Sequence, residues 1–435
     1  MTSLPCSASA CWKRLAIALL LLLEATSSAF AVVGPQSSAA ASSRQSASPD
    51  STTDEDHSGL PPYFPRRHDV LVALDAVKRA CRVTRALQPV VAVEESSASI
   101  ATVEKADLSP VTVADYAVQA LILQLLQRKF PLDGFIAEED RQAPEADDSL
   151  CQQIMAALNE DSAIESDRES VLRSIELGKS YTQWDSATTN RPSRVWCLDP
   201  IDGTKGFLRG RHTGGQYAIA LALVEDGVPT IGILGCPNLP TRVDDEQYAW
   251  SADEKHHQED PSSTRGCIFV ASRGGGCYQL SCNGDTPVKR LDVTPNDAST
   301  RVVENGRFCI GVERFSDALG QTDAMANILQ HGLDDNGAIK RARRMDSQAK
   351  HGVIARGGAE WYVRLPKPGY VEWIWDHAAG NVVIEEAGGT MTDTLGNPLD
   401  FSLGPKLSPY VKGILMSNGG VFHSALVDAY SKVAS

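Results

Sequence analysis

The sequence predicts an α+β fold in two subdomains, on three observations. Two early stretches, Asp69 to Leu87 and Val113 to Phe130, carry apolar residues at helical spacing. The middle of the chain holds successive strand-like runs: Val195-Trp196-Cys197-Leu198, Tyr217 to Val224 and Thr230 to Leu234. Beyond about residue 300 short apolar runs alternate with helical segments, and 435 residues exceed what one core usually organises.

The N-terminus stands apart from that body. Lys13 and Arg14 precede an apolar run, Leu15 to Leu23, which Glu24 ends. The run is too short to span a bilayer and suits the apolar region of a signal peptide. Ser27-Ser28-Ala29-Phe30-Ala31 offers cleavage points after Ala29 or Ala31. Val32 to Ser48 is rich in Ser and Ala, contains Arg44 and lacks acid, which is transit-peptide composition. The pairing resembles the two-part leader of algae with complex plastids, so a plastid is the expected destination and the secretory pathway the alternative. Residues 1–60 are expected to be leader and disordered linker, with the folded body starting near Tyr63.

Within the body, the two helices come first. Residues 141 to 190 are polar and weakly patterned, and they read as an inserted surface region. Ser272-Arg273-Gly274-Gly275-Gly276 lacks the Gly-Lys-Ser/Thr ending of a phosphate loop and reads as a hairpin turn.

The charge balance is acidic, 41 Lys+Arg against 55 Asp+Glu, for a net −14. That excludes a general nucleic-acid binder and an anionic-membrane binder. An anionic substrate would need local attraction, from bound cations or from a few placed Lys and Arg. Ten cysteines lack a repeated C-x-x-C spacing, so they form neither a zinc framework nor a dense disulfide scaffold, and most of them read as buried thiols.

The strongest chemical signal is Trp196-Cys197-Leu198-Asp199-Pro200-Ile201-Asp202-Gly203-Thr204-Lys205-Gly206-Phe207. An apolar strand runs into two acids at i and i+3, and Pro200 and Gly203 favour a tight turn. Such a turn can aim both carboxylates and the Ile201 carbonyl at one point, and hard oxygen ligands suit Mg²⁺. Gly203 and Thr204 open a segment whose backbone N–H groups can hold a phosphate.

Three further segments matter. Trp375-Asp376-His377-Ala378-Ala379-Gly380 places Asp376 at an N-cap position, with Gly388-Gly389 as the helix end, and His377 reads as a packed or hydrogen-bonded histidine. Phe135-Ile136-Ala137-Glu138-Glu139-Asp140 is an apolar stub feeding three acids at the end of a strand. Ser109-Pro110-Val111-Thr112-Val113-Ala114-Asp115-Tyr116 is an extended stretch entering a helix with an acid in its first turn.

Together these segments resemble the inositol monophosphatase superfamily, and within it the 3′(2′),5′-bisphosphate nucleotidases. The resemblance runs from about residue 65 to 425 and rests on SPVTVADYAVQ, AEED, WCLDPIDGTKGFLRG, GCPNL, DSQAK, VRLP, WDHAAGN and EEAGG. It implies a layered α/β sandwich with an N-terminal subdomain at residues 61–298, a C-terminal one at 299–435, and the site between them. It implies a small-molecule bisphosphate substrate, with neither nucleic acid nor membrane as partner, and two or three Mg²⁺ per site.

Carried over residue by residue, the resemblance assigns Glu138, Asp199 and the Ile201 carbonyl to one Mg²⁺. Asp199, Asp202 and Asp376 go to another. Asp115 and Thr204 become the pair that orients and deprotonates the attacking water. Asp346, Ser347, Lys350 and Arg364 become the substrate contacts, with Lys350 and Arg364 on the phosphate that is not hydrolysed. The implied reaction removes the 3′-phosphate of 3′-phosphoadenosine 5′-phosphate to give AMP, with 3′-phosphoadenosine 5′-phosphosulfate as a related substrate and inhibition by Li⁺. The alternative is an inositol polyphosphate 1-phosphatase or an inositol monophosphatase. Two departures stand out. Gly311-Val312-Glu313 is followed by no histidine pair, and Arg211 to Gly214 is extra sequence.

Overall fold

The computed structural model describes residues 58–89, 102–104, 110–159, 161–181, 192–211, 215–243, 264–284, 286–295, 306–312, 320–331 and 342–434. Residues 1–57 of the expected leader at 1–60, residues 212–214 of the extra sequence and residues 313–319 after Val312 lie outside these.

Helix α1 (Arg67–Leu87) turns one apolar face inward: Val70, Ala73, Leu74, Val77, Ala80 and Cys81 are buried. A short ribbon, β1 (Thr102–Glu104) and β2 (Pro110–Thr112), leads into α2 (Val113–Lys129). That helix is buried almost all round, consistent with its run of Ala, Leu, Ile and Val. Strand β3 (Gly134–Ala137) is followed by α3 (Gln142–Ala146), α4 (Asp148–Leu158) and α5 (Arg168–Glu176), then a 3₁₀ turn at Leu177–Lys179.

The expectation of an inserted surface region at 141–190 is corrected here for residues 141–181, and 182–190 lie outside the described residues. Leu150, Ile154, Leu158, Val171 and Ile175 join the same core as α1 and α2. Polar residues outnumber apolar ones there because only one stripe of each short helix faces inward. Asp147 and Asp167 start α4 and α5 by accepting from Leu150 and Ser170 N–H groups, which accounts for acids the composition had suggested were surface loop.

Strands β4 (Arg194–Asp202), β5 (Ala218–Glu225), β6 (Val228–Pro240), β7 (Arg265–Ser272), β8 (Gly276–Ser281) and β9 (Lys289–Leu291) follow, with helix α6 (Thr204–Arg209) between β4 and β5. They complete a seven-stranded sheet ordered β3-β4-β5-β6-β7-β8-β9, parallel only at β3–β4. Residues 273–275 turn between β7 and β8, as the glycine run predicted. Then come β10 (Phe308–Ile310), α7 (Gln321–Leu329), β11 (Ala342–Arg344), α8 (Ala349–Ala355), β12 (Trp361–Arg364), a 3₁₀ turn at Ile374–Asp376, α9 (Ala378–Glu386), β13 (Thr390–Asp393), β14 (Ile414–Ser417) and α10 (Gly420–Ala434). The five later strands form a second sheet ordered β11-β10-β12-β14-β13.

Side-chain alternation along the strands sorts the interior into three apolar layers. Leu221, Ile231 and Ile233 face α1 and α2. Ala220, Ala222, Leu234 and Cys236 face the opposite way, where they meet Val353 of α8, Val382 of α9 and Met416 of the second sheet. Trp361, Val363 and Leu415 line that sheet's far side against α7 and α10. The result is helix, sheet, helix, sheet, helix, the layered α+β architecture expected. No helix among the described residues is long and apolar enough to cross a membrane.

Candidate active site

The site grows from the C-terminal end of β4. Pairing with β5 steps from Asp199↔Ala220 to Asp202↔Ala218, so β4 holds one extra residue between the two acids. In a regular strand residues at i and i+3 face opposite sides. The bulge re-aims one of them. Asp199, Asp202 and Asp376 each bring a carboxylate oxygen within 4.8 Å of the others.

The neighbouring elements supply the rest. Strand β3 runs parallel to β4 with Ala137 beside Leu198, and Glu138 N–H donates to Leu198 O at 3.3 Å, which sets Glu138 next to Asp199. Asp376 ends its 3₁₀ turn and is not the N-cap of the helix that follows. The cap position of α9 is His377, whose side chain makes no capping bond. The tight 3₁₀ turn carries the Asp376 carboxylate toward β4 instead.

Electrostatics agree with convergence. Burial raises the Asp199 carboxyl well above its ordinary range, and Glu138, Asp202 and Asp376 push it further. Asp376 is raised by burial and by Asp202 and Glu372. Asp202 is also raised by burial, partly offset by Lys350 and the Gln348 N–H. Asp199 Oδ1 is buried with no hydrogen-bond partner. Crowded carboxylates with an orphaned buried oxygen are what a hard divalent cation would satisfy, so the donor set fits Mg²⁺.

Asp115 sits in the first turn of α2 and is 1% exposed. Its Oδ2 accepts from Thr112 N–H at 2.8 Å and from the Thr112 hydroxyl at 2.6 Å, closing a capping box. Its Oδ1 faces the Thr204 hydroxyl at 3.4 Å, and the same hydroxyl lies 3.2 Å from Ile201 O. Gly203 precedes Thr204 with φ +84°, and a Cβ there would meet Ser347 Cβ at 2.9 Å. Only glycine permits that turn without displacement.

The remaining predicted residues line the same cleft of about 290 Å³, together with Glu138, Asp199, Ile201, Asp202, Thr204 and Asp376. Ser347 is buried with φ +69°, a strained conformation for a residue with a side chain. Asp346 pairs with Arg209 of α6, which ties the loop before α8 to the helix after the turn at the end of β4. Lys350 Nζ donates to Met345 O at 3.2 Å and lies 4.9 Å from the Tyr362 ring centroid. Arg364 Nε donates to Glu372 Oε1 at 3.0 Å. Burial would lower the Arg364 pKa, but Glu372 more than offsets that and the guanidinium stays cationic.

Several residues at the site received no role from the sequence. Glu372 engages Arg364 with one oxygen and His377 Nε2, at 3.1 Å, with the other. Although burial opposes ionisation, Arg364 and the His377 bond hold its carboxyl down at about 2. Glu372, Asp376 and His377 also approach one another closely enough for a metal, but both Glu372 oxygens are already taken. Gln348 donates its backbone N–H to Asp202 Oδ2 at 2.5 Å and its side chain to Trp375 O at 2.8 Å, linking two of the acid-bearing turns. His351 lines the cleft as a neutral imidazole, its pKa lowered by burial, His377 and Lys350. A single Glu, Gln or His has no spacing pattern by which sequence could assign it these partners.

The chain matches the inositol monophosphatase family over residues 72–434. It is 35% identical to the 3′(2′),5′-bisphosphate nucleotidase of Schizosaccharomyces pombe, over 84% of this chain and 95% of that protein. It is 36% identical to the protein of the same name from Dictyostelium discoideum, over 83% and 96%. Among solved structures, the extragenic suppressor protein suhB from Bartonella henselae superposes with a TM-score of 0.50 at 18% identity, covering 84% of this chain and 99% of that one. That likeness concerns the fold.

Proposed function

The chain belongs to the inositol monophosphatase family, and from that premise we propose that it is a Mg²⁺-dependent 3′(2′),5′-bisphosphate nucleotidase. It removes the 3′-phosphate of 3′-phosphoadenosine 5′-phosphate to give AMP, and it accepts 3′-phosphoadenosine 5′-phosphosulfate. The relatives' names support this reading, and one observation carries it. A single cleft has converging carboxylates, Asp199, Asp202 and Asp376, among its walls, and it also presents Lys350 and Arg364. A substrate with two phosphates has a use for both sets.

Glu138, Asp199 and the Ile201 carbonyl would hold one cation, and Asp199, Asp202 and Asp376 would hold another. Bound there, Mg²⁺ supplies Lewis-acid stabilisation of charge on the phosphoryl oxygens and offsets the chain's net −14 locally. The protein's own part is proton management and alignment. Thr204 takes the proton of the attacking water as its own passes to Asp115 Oδ1. Thr112 keeps the other Asp115 oxygen occupied, which leaves Oδ1 facing Thr204. Arg364 offers a planar fork and Lys350 a point charge to the phosphate that stays. Ser347 and the Asp346–Arg209 pair shape the wall between the two ends.

Li⁺, a small cation competing for the same oxygens, inhibits. Residues 61–298 and 299–435 are the two subdomains that meet at the cleft, and residues 1–60 target the protein to a plastid.

The test is product analysis. Incubation with 3′-phosphoadenosine 5′-phosphate and Mg²⁺ yields 5′-AMP and phosphate, and chelation stops it. Turnover of inositol phosphates without turnover of the nucleotide would establish the inositol phosphatase reading instead.

A further inference from the structure

We propose that Gln119 is a positioning residue for the metal end of the cleft. With Lys179 it fixes the peptide bearing Glu138 to the helix bearing Asp115. This rests on the reading of Glu138 as a metal ligand.

The case begins with the backbone polar groups of Ala137-Glu138-Glu139, which leave the sheet at the end of β3 and must find partners elsewhere. Gln119 is wholly buried. Its Nε2 donates to Glu139 O at 2.8 Å and to Ile175 O at 2.9 Å, and its Oε1 accepts from Glu139 N–H at 3.0 Å. Lys179 Nζ donates to Ala137 O at 3.1 Å and to Glu138 O at 3.0 Å. Glu138 N–H goes to Leu198 O. The Ala137 carbonyl and both polar groups of Glu138 and Glu139 are thereby satisfied without the Glu138 carboxylate.

Gln119 lies one helical turn beyond Asp115 on α2. One rigid element therefore presents Asp115 from its first turn and grips the Glu138 segment from its second. Gly178 closes the clamp from below, since a Cβ there would meet Ala137 Cβ at 2.7 Å and Gln119 Nε2 at 2.9 Å. Lys179 Nζ also lies 6.0 Å from the ring centroid of Trp375, the residue before Asp376. The clamp thus reaches the turns of two acidic residues. It is built from α2 and from the end of the segment that composition marked as a surface insertion. Groups that orient a metal ligand are typically worth 10–100-fold in metal affinity.

The test titrates Mn²⁺ into the substrate-free full chain, by calorimetry or paramagnetic resonance. Gln119→Met keeps volume and removes all three bonds, and Lys179→Met removes the half-buried cation. Each is expected to weaken Mn²⁺ binding about 10–100-fold, while the substrate KM at saturating metal stays at the parental value. Lys179→Arg, which can still donate to both carbonyls, restores most of the affinity. A folded Lys179→Met protein with parental Mn²⁺ affinity overturns the proposal, and it does so even where Gln119→Met fails to fold. A parental chain that binds no Mn²⁺ overturns the metal reading itself, and the clamp with it.

Discussion

Thr204 Oγ lies 3.4 Å from Asp115 Oδ1, joining residues 89 positions apart in the chain. Asp115 serves two masters with its two oxygens. One closes the capping box that starts α2, and the other meets a hydroxyl from the turn after β4. The capping bond therefore coexists with the chemical use proposed for this acid.

That relationship predicts non-additive kinetics. Thr204→Val keeps shape and removes the hydroxyl. Asp115→Asn retains an acceptor for Thr112 N–H and removes the proton sink. Each should lower kcat by about 10²–10⁴ with little change in Mg²⁺ dependence. The double variant should be little worse than either single one, because the two act as a unit. Multiplicative losses would mean they act separately.

Asp199→Asn should abolish most turnover yet stabilise the metal-free protein. The sign follows from the upward shifts of Asp199, Asp202 and Asp376 from an ordinary value of 3.8. The native state holds the extra protons, so stability from these groups is present below about pH 3.8 and lost as pH rises through their raised values. At pH 7 in chelator the parental protein carries that repulsion, and the variant carries less. Thermal melts should show the variant melting higher in chelator. Added Mg²⁺ should raise the parental melt and hardly move the variant. A variant that melts lower in chelator contradicts this account.

Glu372 behaves in the opposite sense. Its carboxyl, held at about 2 against an ordinary 4.5, contributes stability that is present above pH 4.5 and lost as pH falls through about 2. Glu372→Gln should flatten the fall in stability across that window. It should also weaken bisphosphate binding, since Arg364 loses a buried charged partner. Acid titration of the melting temperature reads the first effect and KM the second. An unchanged acid profile would show that the pair contributes nothing.

The leader makes a separate prediction. Residues 1–60 fused to a fluorescent protein should deliver it to the plastid of a plastid-bearing host. Secretion of the fusion would leave only a signal peptide.

Much of this is legible in the sequence, for definite physical reasons. An apolar strand ending in Asp199-Pro200-Ile201-Asp202-Gly203 can only bury its stem and turn, so β4 and its acids were foreseeable. The glycine run at 274–276 and the helix end at Gly388-Gly389 are legible because they include residues that adopt positive φ: Gly274, Gly276 and Gly388. The α3–α5 region was misread because its helices are short and each buries a single stripe, which window composition averages away. Asp376 was placed one step too close to its helix because a 3₁₀ turn leaves no distinct periodicity. Gln119 and Gln348 stand inside quoted motifs without an assigned role, and Lys179 and Glu372 stand outside them, because the roles of all four come from partners 5 to 146 positions away, as in Glu372–His377 and Gln348–Asp202.

The central claim is that one cleft reads two phosphates, one at the carboxylates and one at Lys350 and Arg364. The most direct measurement is kcat/KM for 3′-phosphoadenosine 5′-phosphate and for a monophosphate such as inositol 1-phosphate, in the parental protein and in Arg364→Ala. Hydrogen bonds to charged groups contribute about 1.5–3 kcal/mol each. The variant should therefore lose about one to two orders of magnitude on the bisphosphate and almost nothing on the monophosphate. Equal losses on both substrates would contradict the account and assign Arg364 to the fold or to the reacting phosphate.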